Sequence, residues 1–169
     1  MCDNIICMLG KSISESAEET KKWLKELSWK KILLVGFIYT IFTTIVHQLE
    51  AIMMMKYYQM PAFFGVWSKL MMPNAGPPPP QFMIVSTIMN FYSGLAIAII
   101  YYYIRSLLPK QFWKRIFFFA DLMIATSFIF FTLPSYLLFN LPIQLLFSWF
   151  ISSFIIIVLT SLTLVKIID

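Results

Sequence analysis

The sequence predicts an all-α integral membrane protein, a four-transmembrane-helix bundle with an N-terminal amphipathic interfacial helix. Four apolar stretches, Ile32 to Met55, Met83 to Ile104, Ile116 to Leu133 and Leu141 to Val165, carry almost no charge. Each is near or above the roughly 18 to 20 residues that a helix rising 1.5 Å per residue needs to cross about 30 Å of hydrocarbon. The composition agrees: 60% of the residues are hydrophobic and 12% charged, against about a quarter charged in soluble domains. The third observation is where the basic residues fall. Lys11, Lys21, Lys22, Lys25, Lys30 and Lys31 precede the first span, Arg105, Lys110, Lys114 and Arg115 lie between the second and third, and Lys166 follows the fourth. That puts eleven on one side and only Lys56 and Lys69 on the other. The positive-inside rule then sets both termini in the cytoplasm, or in the matrix of an organelle, with the plasma (inner) membrane as the expected location. The net charge of +5 therefore reports topology, and nucleic acid is not an expected partner.

Residues 1–31 read as a cytoplasmic tail and residues 32–169 as one transmembrane domain, since 169 residues leave room for a single small core. In the tail, Ser12 and Glu15 match the S-x-x-E capping box, Glu15, Glu18 and Glu19 fill the first turns, and lysines close the segment, a charge order that suits a helix macrodipole. Ile13, Ala17, Thr20, Leu24 and Leu27 recur at helical spacing, and Trp23 and Trp29 serve as interfacial anchors, so the helix lies flat on the inner surface. Cys2 and Cys7 read as free, reduced thiols, because no third ligand accompanies them. The first ten residues lack the basic start and cleavage site of a signal peptide, which leaves span one as the membrane signal.

The outer loop 56–82 divides in two. Pro61 to Met72 is expected to form a short interfacial helix, with Phe63, Phe64, Trp67, Leu70 and Met71 on one face and Pro61 in its first turn. Pro77 to Pro80 should make a polyproline II strut. Span two carries Ser86, Asn90, Gly94 and Ala98 at four-residue spacing, a small-residue stripe where a second helix can approach closely. Pro109 breaks the chain before span three, Pro134 marks the end of that span, and Asn140 with Pro142 reads as the cap and first turn of span four.

Span one becomes polar toward its outer end, with Thr43, Thr44, His47, Gln48 and Glu50. Counting from Ile32 puts His47 about 22 Å across, where ionisable groups need partners or water. His47 and Glu50, three residues apart, can share a hydrogen bond or a proton. Asn90, Gln144 and Ser148 fall at similar depth. A candidate outer pocket therefore comprises His47, Glu50, Thr43, Asn90, Gln144 and Ser148. The competing structural reading pairs Glu50 with Lys56 and gives His47 a packing role. Asp121 is expected to form a structural ion pair with Arg105, or to meet Lys31.

Eight methionines fall between Met53 and Met89. Thioethers suit Cu(I), yet methionine also fills apolar surfaces, and the latter reading leaves no metal assigned. One histidine disfavours a bis-histidine haem, and with no catalytic triad, phosphate loop or H-E-x-x-H motif the sequence points to no catalysis or cofactor of its own. The expected role is an accessory or scaffold subunit of a larger membrane assembly, its partners being the bilayer and other membrane subunits or further copies of itself. The alternative is a small transporter or binding protein whose outer pocket takes a cation, proton or small amphiphile. A quinone-linked redox subunit ranks third.

Overall fold

The computed structural model describes residues 27–74 and 76–169. Cys2, Cys7 and most of the amphipathic tail segment lie outside the described residues. The described residues contain helices and turns but no strand, and four rods are long and apolar enough to cross a membrane. Helix α1 spans Trp29–Tyr58, α2 spans Pro80–Ile104, α3 spans Phe112–Ser127, α4 spans Leu133–Leu138 and α5 spans Ile143–Ile168. A π turn, Phe128–Thr132, joins α3 to α4 in one continuous third rod.

Local chemistry sets the ends. Trp29 to Lys31, read in the sequence as the close of the tail helix, instead open α1. Two cations at a helix N-terminus oppose its dipole, but Lys31 Nζ donates at 2.8 Å to the carbonyl of Ile168, where it caps the last turn of α5. At the other end of α1, Trp67 Nε1 donates at 2.8 Å to the carbonyl of Tyr58, one of the oxygens a helix terminus leaves unpaired. Pro80 begins α2, as suits a residue without an N–H. The connection out of α2 tightens into a 3-10 turn, Arg105–Leu107, and Leu108 is extended because the following proline disfavours its helical conformation.

Three expected boundaries differ. Pro134 does not end the third rod, which runs on to Leu138. The π turn lies directly before it and absorbs the displaced carbonyl that a proline ring would otherwise strike. The loop helix expected over Pro61 to Met72 is a 3-10 helix limited to Pro61–Val66, and the residues after it fold inward: Met72 is buried beside Tyr58 and Leu145, with Phe64, Trp67 and Met71 packed around them. Asn140 makes no cap; Pro142 occupies the position before α5 and its carbonyl accepts from Leu145 and Leu146.

α1 packs along both α2 and α5, α3 packs along α5, and α2 meets α5 only briefly. At the end where α1 starts and α5 finishes, here the lower end, a continuous core joins Ile32, Val35, Ala98, Tyr101, Phe119 and Leu164. Tyr101 stacks edge-on against Phe119 with centroids 5.2 Å apart. Polar groups tie this end together: Tyr101 donates to Asp169 at 2.5 Å, and Arg115 forms an ion pair with the same carboxylate. The pair expected between Asp121 and Arg105 is not formed. Arg105 lies over the Tyr102 ring at 4.6 Å, Lys31 is taken by Ile168, and Asp121 is exposed on α3.

Below the middle of the bundle α1 and α2 touch backbone to backbone. A Cβ placed on Gly94 would sit 2.9 Å from the Cα of Gly36 and 2.9 Å from the Cβ of Tyr39, closer than atoms tolerate. Gly94 thus forms the close contact that the small-residue stripe predicts, and its partner is Gly36. Gly94→Ala is expected to force the helices apart and cost about 1–3 kcal/mol, the usual penalty of overpacking, seen as a lowered midpoint of thermal unfolding in detergent. Ser93→Ala, at an exposed position on the same helix, should leave the midpoint unchanged.

Candidate functional site

Above the Gly36–Gly94 contact α1 and α2 separate and enclose a half-open cavity of about 520 Å³. One wall is the face of α1 that carries Thr44, His47, Gln48, Glu50 and Met55. The facing wall is α2, with Met83, Ser86, Thr87 and Asn90, and the loop folds across the top through Met71, Met72, Pro77 and Pro78. The inward fold of that loop is what makes the roof, since Met72 is anchored in the Tyr58 and Leu145 cluster.

At the back of the cavity, on the seam with α5, Glu50 is only 6% exposed. Its carboxylate accepts from the Tyr58 hydroxyl, 3.0 Å from Oε2 and 3.3 Å from Oε1, and from the Ser148 hydroxyl, 3.0 Å from Oε1. Trp149 Nε1 in turn donates to the Tyr58 hydroxyl at 2.6 Å. The rings of Tyr58, Trp67 and Trp149 lie mutually within 6.4 Å, centroid to centroid, and shield this network from above. All the donors reaching Glu50 are neutral. Lys56 is not its partner: that ammonium lies over the Tyr57 ring at 4.8 Å.

The residues expected to form a pocket are partly brought together. His47, Glu50 and Asn90 line the cavity, and Ser148 reaches Glu50 from α5. Ser86, read in the sequence as packing, faces the cavity beside Asn90. Thr43 is buried but is not in the lining, and Gln144 is exposed at the start of α5. His47 and Glu50 share no hydrogen bond, because Glu50 turns to the α5 side where Tyr58 and Ser148 occupy it, while His47 stays on the cavity side. Tyr58, Trp149 and Gly36 were not among the expected site or packing residues. Tyr58 had a signal: it follows Glu50 by two helical turns, and helical side chains lean toward the N-terminus.

His47 makes no hydrogen bond to a hydroxyl or carboxylate among the described residues, so no base is paired with a nucleophile there. Most helix hydroxyls are spent on their own backbone, as Thr40 on Gly36, Thr87 on Met83 and Ser93 on Met89. No group of three His, Cys, Asp or Glu side chains among the described residues converges on a metal position. Gln48 donates to the Met83 sulfur at 3.5 Å, linking the two walls across the cavity. Comparison of the chain with protein-family models, curated proteins and solved structures finds no match.

Tyr58→Phe removes one donor from a buried carboxylate and strands the Trp149 N–H. It is expected to destabilise the chain by about 1–3 kcal/mol, measured by chemical or thermal unfolding in detergent. Ser148→Ala should cost less, because the Tyr58 donor remains.

Proposed function

We propose that this chain is a multi-pass membrane protein with both termini on the cytoplasmic side of the plasma membrane, and that it binds a small amphiphile in a cavity open to the outer leaflet or the outer aqueous face. The observation that carries this reading is the cavity itself: about 520 Å³, walled mostly by apolar side chains, with a few polar groups converging from two helices. That is the usual build of a small-molecule site. The sidedness is supported by charge. Among the described residues, Lys30, Lys31, Arg105, Lys110, Lys114, Arg115 and Lys166 gather at the lower end, and Lys56 and Lys69 at the end where the cavity opens, in line with the positive-inside rule. Reversible binding is favoured over conduction because the bundle is filled below the cavity, where Ala98 and Tyr101 are fully buried.

The test has two arms. In a chain whose Cys2 and Cys7 are replaced by Ser, Asn74→Cys should react with an impermeant maleimide added outside intact cells; protection there reverses the sidedness. In nanodiscs, the native chain should retain an amphiphilic probe such as triphenylphosphine oxide beyond the amount that empty discs take up, and Ser86→Trp, which fills the cavity, should lower that excess at least tenfold. An equal excess with the cavity filled overturns the reading.

A second reading, an accessory subunit, is favoured by Asp121. It is exposed on α3 and has no partner among the described residues, and an unpaired carboxylate on a membrane helix carries a cost of about 2.5–3.5 kcal/mol that a group from a neighbouring subunit would relieve. If so, Asp121→Ala should reduce co-purification of a second polypeptide in mild detergent while leaving probe retention unchanged. Purification of the native chain as a monomer, with no second polypeptide, argues against this role.

A further inference from the structure

We propose that the cavity takes a monovalent organic cation, a lipophilic amine or onium, with its charged centre against the Glu50 carboxylate and its apolar body along the methionine and proline surfaces. This rests on the reading of the cavity as a binding site and adds the charge and class of the ligand.

The first argument is charge balance. Glu50, Asp121 and Asp169 are the acidic side chains among the described residues. Asp169 has the Arg115 guanidinium, and Asp121 is exposed. Glu50 is buried and receives only neutral donors, and neither Lys nor Arg lines the cavity. A buried anion held by neutral donors keeps most of its desolvation cost until a proton or a cation joins it. The cavity brings a ligand to this carboxylate.

The second argument is the count of hydrogen bonds. A carboxylate has about four acceptor positions. The Tyr58 and Ser148 hydroxyls each have one proton to give, so about half of those positions stay open to a ligand N–H or to the close approach of an onium centre. Size then separates organic from inorganic cations. A bare metal ion would want several convergent ligands, and no such group exists among the described residues, whereas about 520 Å³ accommodates an organic body. The thioethers of Met55, Met71 and Met83 give that body a polarisable, adaptable surface.

Equilibrium dialysis of the full chain in nanodiscs, with empty discs subtracted, tests this with three probes of similar bulk: tetraphenylphosphonium, neutral triphenylphosphine oxide and tetraphenylborate. The cation is expected to bind at least tenfold more tightly than the neutral probe, and the anion more weakly than both. Glu50→Gln should bring the cation down to the level of the neutral probe. For the native chain, acidification from pH 8 to pH 5 should weaken the cation and spare the neutral probe. The titratable groups of the lining are His47, Glu50 and Tyr58, all on α1, and a proton gained by either of the first two makes the cavity less negative. α2 and the loop contribute none, and α5 presents Ser148 and Trp149. Equal binding of cation and neutral probe, or a preference that survives both Glu50→Gln and acidification, overturns the inference and leaves the binding site standing. Retention of none of the three probes overturns both.

Discussion

The contact between Gly36 and Gly94 is the constraint from which the rest of the arrangement follows. In a bilayer the backbone polar groups are satisfied within each helix, and helices there associate by close packing, which is tightest where both lack side chains. Here the two backbones meet low on the bundle. Above that level the cavity lies between the two helices. The lower half, where Tyr101, Phe119 and the Asp169 carboxylate interlock, is the closed part from which the upper walls extend.

What keeps the upper end from collapsing is the direction in which α1 is held. Glu50 and Tyr58 fasten it to α5 through Ser148 and Trp149, away from α2. The loop rests on the same cluster through Trp67 and Met72. One polar network therefore secures a helix end, a roof and the back wall of a cavity together. Buried networks of this kind are costly when half-satisfied and specifying when complete, and in this one the donors that reach Glu50 are the Tyr58 and Ser148 hydroxyls.

The sequence disclosed the four rods because length and hydropathy need no partner to be read. It disclosed His47, Glu50 and Asn90 as neighbours because polar groups in an apolar helix must face something other than lipid. Gly94 was legible as part of a small-residue stripe, but Gly36 was not, since a single glycine has no period. The partner of Glu50 was hidden for another reason: Lys56 matches on charge, yet the native partners are neutral hydroxyls, one of them from a helix 98 positions away. Asp121 and Arg105 were joined on opposite charge alone, and the actual pair, Arg115 with Asp169, depends on how the lower helix ends meet. Pro134 misled because its usual effect is local, while the π turn that accommodates it spreads the distortion over the preceding residues.

That π turn also alters how the third rod meets its surroundings. One surplus residue in a turn rotates everything after it by about 100°, the angle that each residue subtends around an α-helix. The lateral facet of α3 therefore does not continue along α4, where Ser135 is brought round to a buried position. α5 packs along α3 and touches the π turn and α4 only slightly, so beyond the offset the third rod leans on little else in the bundle.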